Sequence, residues 1–425
     1  MSANNVALPD SDSEDELPPG WEERVTADGC VYYVNHATEG TQWTHPRTGV
    51  KKKVSGDLPL GWEKSVSEDG KITFYNKDTH VKTYTDPRIV FAKEEKENPL
   101  DIRQKYDHST KALQILHGRD LSNYNAIVTG ANTGIGFETA RSLALHGCRV
   151  ILACRSLDKA NDAISKILTE KPSAQCIAME LDLCRLKSVK KFAEEYQKKF
   201  RSLNILVLNA GVFGLGFSHT EDGFETTFQV NHLAHFYLTL QLENALIKGA
   251  KLFARVVVVS SESHRYSYIT KDTISKSVLS VENYSDFWAM TAYNDTKLCN
   301  VLFGEKLATL WYKYKIAVFI LHPGNLIYTD ISRYWWPYRL LFTLVRPFTK
   351  SLQQGAATSI YCATSLDLSL PVSGSYFNNC CRCPPSKAAQ DEALATKLWK
   401  LSEEMIQSVV STWLEETTER GEVVF

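Results

Sequence analysis

The sequence has no run of about 20 apolar residues, the length that an α-helix needs to cross a bilayer, so we predict no transmembrane segment. Its longest apolar stretch, residues 334–345, is shorter and contains Arg339. We interpret this stretch as a packed helix or the wall of an apolar pocket, with a membrane-surface patch as the alternative. The start of the chain has no apolar signal segment, and the acidic, Ser-containing residues 1–16 are predicted to be disordered.

The sequence also has little net charge and few cysteines that lie close together. The formal net charge is −1, so charge does not favour a nucleic acid or an anionic membrane as a partner. The ten cysteines are scattered apart from Cys380, Cys381 and Cys383, and that cluster has no Cys or His pair at a ligand spacing nearby. We therefore predict no metal ion, and a reducing compartment, the cytoplasm or nucleus, rather than a secretory one.

The 425 residues are enough for two or three domains, and the N-terminal part contains an internal repeat. Trp21 and Pro46 recur 41 residues later as Trp62 and Pro87. Short runs rich in Tyr, Val and Thr lie between them and are broken by Asp-Gly pairs, which are hairpin signals. Each repeat is therefore predicted to be a unit of three short strands.

These repeats resemble the WW domain family over residues 17–48 and 58–89. The resemblance implies an exposed aromatic groove that binds a polyproline II segment, here of the Pro-Pro-x-Tyr type. Core packing is the alternative role for the groove aromatics. The resemblance assigns peptide binding in the first module to Tyr33, His36, Thr41 and Trp43.

The second module departs from the pattern, because Tyr84, Phe74 and Lys77 replace its groove Trp, Tyr and His. We predict that it folds, binds proline-rich peptides weakly and mainly supports the first module. Residues 49–57 are interpreted as a basic linker, and residues 90–122 as a second linker.

Residues 123–390 show a strand, glycine loop, helix and strand, which predicts an α/β domain with a doubly wound parallel sheet of Rossmann type. Residues 391–425 are predicted to form a helical tail. The loop at residues 130–136 would bring backbone close to a pyrophosphate. At the end of the second strand Arg155 stands where an acid would read the ribose of NAD, so we predict NADP(H).

The motifs of this domain resemble short-chain dehydrogenases/reductases from about residue 123 to 381. A Tyr-x-x-x-Lys pair alone would mean little among 19 tyrosines, but here it stands in the family's full series. A domain of this fold without activity is the alternative. The resemblance assigns cofactor contacts to Thr129, Gly130, Asn132, Thr133, Gly134, Ile135, Gly136, Arg155, Asp182, Asn209, Ala210, Gly211, Lys297, Pro323 and Gly324.

The same resemblance implies the catalytic residues Tyr293, Lys297, Ser261 and Asn231. Residues four apart share a helix face, so the Lys297 ammonium would favour the phenolate of Tyr293. Ser261, with Ser260 as the alternate, would bind the substrate oxygen. Asn231 would hold a water for proton relay.

Two features depart from the family pattern. The spacing of Ser261 and Tyr293 is long, so residues 265–287 are predicted to be an insertion that lines or covers the pocket. After the Pro323-Gly324 pair, Tyr328 stands where the family has a Thr that contacts the carboxamide, and Thr329 follows it.

Residues 153–155, 228–236 and 260–264 resemble the corresponding segments of the retinol dehydrogenase branch. This resemblance implies a steroid or retinoid substrate. WW modules joined to such a domain imply an adaptor-like tumour suppressor with links to apoptosis and Wnt signalling, present in cytoplasm and nucleus with possible mitochondrial association. Two interpretations stay open: an enzyme placed by its WW modules, and an adaptor whose dehydrogenase domain only binds NADP(H). The substrate, the reaction direction and the oligomeric state do not follow from the sequence.

Overall fold

The structure is a computed structural model that describes residues 17–324 and 350–410, apart from short gaps at residues 27, 55–57, 60, 68–71, 96–97, 99, 101 and 103. The predictions for residues 1–16, for the apolar stretch 334–345 and for Tyr328 and Thr329 lie outside the described residues. The chain divides into two compact units, one with the small N-terminal sheets and one with a large sheet. Within the described ranges no helix is long and apolar enough to cross a membrane.

The N-terminal unit contains two antiparallel sheets of three strands each and a two-stranded pair, which confirms the predicted strand content of both repeats. In chain order the strands are β1 (Trp21–Val25), β2 (Val31–Asn35), β3 (Gly40–Gln42), β4 (Lys52–Lys53), β5 (Trp62–Val66), β6 (Ile72–Asn76), β7 (Lys82–Thr83) and β8 (Lys93–Glu94). The turn between β1 and β2 contains Gly29 at φ 87°, a conformation that glycine adopts without strain.

The core of the first module extends beyond the repeat itself. Val31 and Tyr33 of β2 form a buried cluster with Val54 from the linker, and Ala92, beyond the second module, packs against this cluster. The Val54 amide donates to the Gly29 carbonyl at 2.7 Å. Strand β4 of the linker pairs with β8, which follows the second module. Chain on both sides of the second module therefore completes the first.

The large unit is built on a sheet of eight strands in the order β11-β10-β9-β12-β13-β14-β15-β16. All neighbours are parallel except β15 and β16, and the order reverses between β9 and β12, which places the ligand crevice of this fold there. The predicted doubly wound parallel sheet is confirmed. The strands are β9 (Asn125–Thr129), β10 (Arg149–Cys154), β11 (Cys176–Glu180), β12 (Ile205–Leu208), β13 (Arg255–Val259), β14 (Ala317–His322), β15 (Tyr376–Asn378) and β16 (Cys381–Cys383).

Helices cover the sheet, and the central strands are continuous apolar runs because they are buried on both faces. The longest helix has 23 residues and carries the Tyr-x-x-x-Lys pair. The helices are α1 (Ala112–Ile115), α2 (Gly134–Leu145), α3 (Leu157–Glu170), α4 (Leu186–Lys199), α5 (Thr226–Phe228), α6 (Ala234–Gln241), α7 (Glu243–Gly249), α8 (Lys276–Leu279), α9 (Ala289–Trp311), α10 (Leu352–Thr364) and α11 (Glu392–Gln407).

The compact large unit includes chain on both sides of residues 123–390. Helix α11, predicted as part of a tail, packs on α9, with the Trp399 ring 6.0 Å from that of Phe303. At the other end residues 104–115, predicted as linker, belong to the large unit. There the ring of Tyr106 lies 5.6 Å from that of Tyr361. Apolar side chains that need a partner surface draw both segments into the domain.

Candidate active site

A cavity of about 480 Å³ opens at the carboxyl ends of the central strands. It reaches from the glycine loop, past Arg155 at the end of β10, to Tyr293 and Lys297 on α9. Of the predicted cofactor residues it brings together Gly130, Asn132, Thr133, Gly134, Ile135, Gly136, Arg155, Asp182, Asn209, Ala210, Gly211, Lys297 and Pro323. Thr129 and Gly324 are buried and are not among the residues that line it.

Glycine is required at Gly130 and Gly136 of the glycine loop because neither position leaves room for a Cβ. Gly130 and Gly134 have φ values of 66° and 61°. A Cβ on Gly130 would lie 3.1 Å from Ala210, and one on Gly136 would collide with the Gly130 carbonyl and the Asn209 amide. The loop leads into the N-terminus of α2, where free N–H groups favour a phosphate. These residues fit the pyrophosphate of a dinucleotide cofactor.

Thr129 ties the glycine loop to the Asn-Ala-Gly segment. Its hydroxyl accepts hydrogen bonds from the amides of Asn209 and Ala210, both at 2.9 Å. His235, which the sequence did not single out, lies with Nε2 3.0 Å from that hydroxyl and Nδ1 3.3 Å from the Asn231 carbonyl. Burial lowers the pKa of His235 to about 3, so the ring is neutral. Its ring links the Thr129 hydroxyl to the Asn231 carbonyl.

The end of the cavity beside β10 is cationic. Arg155 and Lys159 both line it, and Asp182 is the one carboxylate among its described lining residues. Asp182 accepts from the Cys184 amide at 3.1 Å and lies 3.7 Å from Arg185, so its charge is partly offset. Lys159, four residues beyond Arg155 on α3, does not occupy the strand-end position at which the family reads the ribose, so the sequence did not single it out. This end suits an anionic group on the cofactor.

Lys297 is buried, and Tyr293 is half-buried at the cavity wall. The Lys297 ammonium donates to the Val259 carbonyl at 3.1 Å and lies 5.5 Å from the centre of the Tyr293 ring. Burial lowers the pKa of Lys297 to about 8. Part of the lysine population therefore loses its charge just above neutral pH.

Asn231 organises the neighbouring backbone and does not line the cavity. It lies in a π-helical turn, Gln229–Leu233, a distortion that recurs at functional sites. Its amide accepts from the Val212 N–H at 2.7 Å and donates to the Val212 carbonyl at 3.0 Å. Gly211 lies so near that a Cβ there would be 3.4 Å from Asn231 Oδ1 and 3.8 Å from Lys297 Nζ. With its side chain so engaged, Asn231 holds the Asn-Ala-Gly segment in place.

The two adjacent serines have different surroundings. Ser260 is buried in the cavity wall, and its hydroxyl donates to the Lys297 carbonyl at 2.7 Å. Ser261 is half-buried outside the lining, and its hydroxyl accepts from the Ser263 amide at 3.2 Å at the start of a 3-10 turn, Glu262–Tyr266. The Ser260 hydroxyl is therefore already used in a hydrogen bond to the backbone of α9. The Ser261 hydroxyl would have to turn to reach a substrate in the cavity.

Aromatic side chains flank the Tyr293 side of the cavity. The Phe213 ring lies 4.8 Å from Tyr293 in an edge-to-face arrangement. Phe217, on the same loop, contacts Phe287 at 5.5 Å and Tyr284 at 6.1 Å. The end of the predicted insertion therefore packs on the loop that reaches Tyr293. Sequence reasoning missed Phe213 and Phe217, although both follow the Asn-Ala-Gly motif closely.

In the first WW module the assignment of Tyr33 to the groove is wrong. Side chains alternate along β2, and Tyr33 points into the core, fully buried, with its ring 5.2 Å from that of His45. The groove tyrosine is Tyr32, which lies 5.9 Å from Trp43. Trp43 is 54% exposed, so its ring is available to a ligand.

His36 and Thr41 are exposed on the face of Tyr32 and Trp43. Thr41 pairs directly with Val34, which is two residues from both Tyr32 and His36, so these side chains share one face. His36 Nε2 lies 2.9 Å from the Glu22 carboxylate. The pair of residues assigned to a ligand tyrosine is therefore beside the aromatic pair.

Side chains alternate in the same way along β6 of the second module, so the groove assignment of Phe74 is also wrong. Phe74 is buried like Tyr33, and the position equivalent to Tyr32 is Thr73. Tyr84 is 73% exposed, and Lys77 pairs with Glu63 at 2.6 Å. One aromatic ring without a partner across the groove offers a poor surface for proline rings.

A cavity lined by the glycine loop, with a Tyr-Lys pair on helix α9, defines a short-chain dehydrogenase/reductase, here with WW modules. A family model described as short chain dehydrogenase matches residues 124–273, and the WW domain model matches residues 17–46. Curated proteins named WW domain-containing oxidoreductase from Gallus gallus and Homo sapiens are each 56% identical over 404 residues, which covers 95% of this chain and 97% of theirs. The chain belongs to the family of WW domain-containing oxidoreductases.

More distant relatives agree with this assignment. Retinol dehydrogenase 12 from Mus musculus is 40% identical over 280 residues, or 66% of this chain and 85% of that protein. A solved structure of an uncharacterised protein from Mycobacterium paratuberculosis has a TM-score of 0.53 and 28% identity, covering 68% of this chain and 95% of that one. The large unit therefore shares its fold with this mycobacterial protein, and 66% of the chain aligns with retinol dehydrogenase 12.

Proposed function

We propose that the protein is an NADP(H)-dependent dehydrogenase/reductase for an apolar alcohol or carbonyl compound, of steroid or retinoid type. The observation that carries the proposal is the position of Tyr293, on the cavity wall with Lys297 beside it and Phe213 against its ring. An apolar substrate suits a tyrosine that packs against Phe213, close to the loop on which Phe217 contacts Phe287.

Each polar residue of the site has a distinct role in this proposal. The cofactor supplies hydride exchange at its nicotinamide, and Gly130, Gly134 and Gly136 would hold its pyrophosphate. Tyr293 exchanges a proton with the substrate oxygen, and the nearby Lys297 ammonium favours its phenolate form. Ser261 binds the same oxygen after its hydroxyl turns away from Ser263.

The preference for NADP(H) rests on Arg155 and Lys159, because a 2′-phosphate needs cations where a free ribose hydroxyl needs an acid. Calorimetric titration with NADPH and NADH tests it, with Arg155→Asp as the variant. Selective NADPH binding that weakens about tenfold or more in the variant is the expected result. Arg201→Asp is the control, because this exposed arginine makes the same charge change away from the cavity. Equal binding of both cofactors would contradict the proposal.

The first WW module would dock the enzyme onto Pro-Pro-x-Tyr proteins, with Tyr32 and Trp43 stacking on the prolines and His36 and Thr41 at the tyrosine. This docking would account for the proposed links to apoptosis, tumour suppression and Wnt signalling. It would also account for the proposed residence in cytoplasm, nucleus and mitochondria. Cells in which Trp43→Phe replaces the native protein test them together, since loss of partners should remove the signalling effect and alter the distribution.

A second candidate is an adaptor whose large domain binds NADP(H) without turnover. The observation that favours it is the engagement of the Ser261 hydroxyl with Ser263 outside the cavity lining. Comparing Tyr293→Phe with Trp43→Phe in cells separates the two functions. An effect lost only in Trp43→Phe would favour the adaptor, and an effect lost in Tyr293→Phe would favour the enzyme.

A further inference from the structure

His264 lies at the centre of a set of contacts behind Ser261. The carbonyl of Ser261 accepts two hydrogen bonds from this residue, one from its backbone amide at 3.1 Å and one from Nδ1 of its ring at 2.7 Å. The other ring nitrogen, Nε2, accepts from the Ser386 amide at 3.0 Å. The imidazole therefore bridges the serine and a segment more than a hundred residues away in the chain.

These contacts fix the protonation state of the ring. A carbonyl can only accept, so Nδ1 must carry the proton, and a backbone amide can only donate, so Nε2 must be bare. A doubly protonated ring would place an N–H against the Ser386 N–H and lose that bond. His264 is 1% exposed, and burial lowers its pKa, in agreement with a neutral ring.

Two further hydrogen bonds join the turn Glu262–Tyr266 to residues 376–386 of the chain. The Tyr376 hydroxyl donates to Glu262 at 3.0 Å, and Arg265 donates to the Pro384 carbonyl at 2.8 Å. Glu262 and Arg265 also pair with each other at 2.6 Å, which leaves the imidazole without a carboxylate partner. The groups that face the ring are thus this ion pair on its own turn, the Tyr376 ring 5.0 Å away on β15 and the Ser386 amide.

We propose that His264 is a positioning residue for Ser261, acting as the neutral tautomer with its proton on Nδ1, clamped between the Ser261 carbonyl and the Ser386 amide. These two hydrogen bonds fix the orientation of the Ser261 carbonyl. The backbone orientation in turn determines which positions the Ser261 hydroxyl reaches when it rotates toward the substrate. The catalytic consequence of this clamp rests on the proposed dehydrogenase function, whereas its geometry does not.

The geometry is tested by nitrogen-15 NMR of histidine-labelled full-length protein, with the His264 signals assigned by their disappearance in His264→Gln. The expected signals are those of a ring protonated at Nδ1, unchanged from pH 8 to pH 6, where a free imidazole would titrate. A ring protonated at Nε2, or one that titrates near its ordinary pKa of about 6.5, would overturn the proposal. This measurement needs no turnover, so it decides the clamp even if the protein proves inactive.

The consequence for Ser261 is tested with two substitutions that each keep one end of the clamp. His264→Asn keeps a donor near the Nδ1 position, and His264→Gln keeps an acceptor near the Nε2 position for Ser386. With any substrate turned over by the intact protein, we expect His264→Gln to lower kcat about tenfold and His264→Asn less than threefold. The dissociation constant of NADPH should stay unchanged in both.

The control is Arg265→Gln, which removes the bonds to Pro384 and Glu262 but leaves the bonds of the imidazole to Ser261 and Ser386 in place, and it should keep kcat within about twofold of the intact protein. Equal losses in His264→Asn and His264→Gln, or a loss that appears only in NADPH affinity, would show a general structural role and overturn the proposal.

Discussion

The change Val54→Ala removes two methyl groups from the core of the first WW module, although Val54 lies outside the repeat. Its side chain is 5% exposed and packs with Val31 and Tyr33. Each buried carbon contributes about 0.8 kcal/mol, and the cavity left behind adds to this loss, so the expected destabilisation is about 2 kcal/mol. A module this small has little stability in reserve, and 2 kcal/mol corresponds to about a thirtyfold change in its folding constant.

The assay is hydrogen exchange of the full-length protein, followed at the amides of β2, together with its affinity for a Pro-Pro-x-Tyr peptide. Exchange at β2 should accelerate about thirtyfold, with weaker peptide binding if the unfolded fraction becomes appreciable. Val66→Ala is the matched control, because this valine of β5 is 59% exposed and should change neither quantity. Exchange in Val54→Ala as slow as in the intact protein would refute the idea that the linker completes the module.

Three further changes test other parts of the molecule. Trp43→Ala should weaken Pro-Pro-x-Tyr binding about tenfold or more in a titration without changing NADPH binding, and unaltered peptide affinity would exclude the proposed groove. Arg255→Met removes the guanidinium that donates to three buried carbonyls, so chemical denaturation should show a loss of about 3 kcal/mol, and a loss below 1 kcal/mol would contradict this. Burial raises the pKa of Asp295 to about 6, so between about pH 4 and 6 the folded state binds the extra proton and stability falls as pH rises. Asp295→Asn should remove that slope from the pH dependence of denaturation, and an identical slope in the variant would show that Asp295 does not titrate there.

The sequence predicted the architecture of the large domain well because its signals are local. A glycine loop between a strand and a helix, followed by apolar strands, determines where the sheet order reverses and where the dinucleotide cavity opens. Tyr293 and Lys297 came together on the cavity as expected, because residues four apart share a helix face. Arg155 also lines the cavity, since it ends a strand next to the glycine loop.

The errors have physical causes of two kinds. Tyr32 and Tyr33 are adjacent, and neighbouring residues of a strand point to opposite faces of the sheet. An assignment that is wrong by one residue therefore placed a core tyrosine in the groove. The burial of Val54 and the packing of α11 depend on contacts between distant parts of the chain, which no local pattern records. His235 was missed for a related reason, since only the folded domain brings it to Thr129.

The most direct test of the account is turnover of a panel of retinoids, steroids and apolar aldehydes by the full-length protein, with NADPH or NADP⁺ and product detection by mass spectrometry. We predict turnover of at least one compound with the phosphorylated cofactor, and a loss of about 100-fold or more in Tyr293→Phe without a change in NADPH affinity. Turnover that survives in Tyr293→Phe, or tight NADPH binding with no product from any compound, would contradict the central claim that this cavity is a working dehydrogenase site.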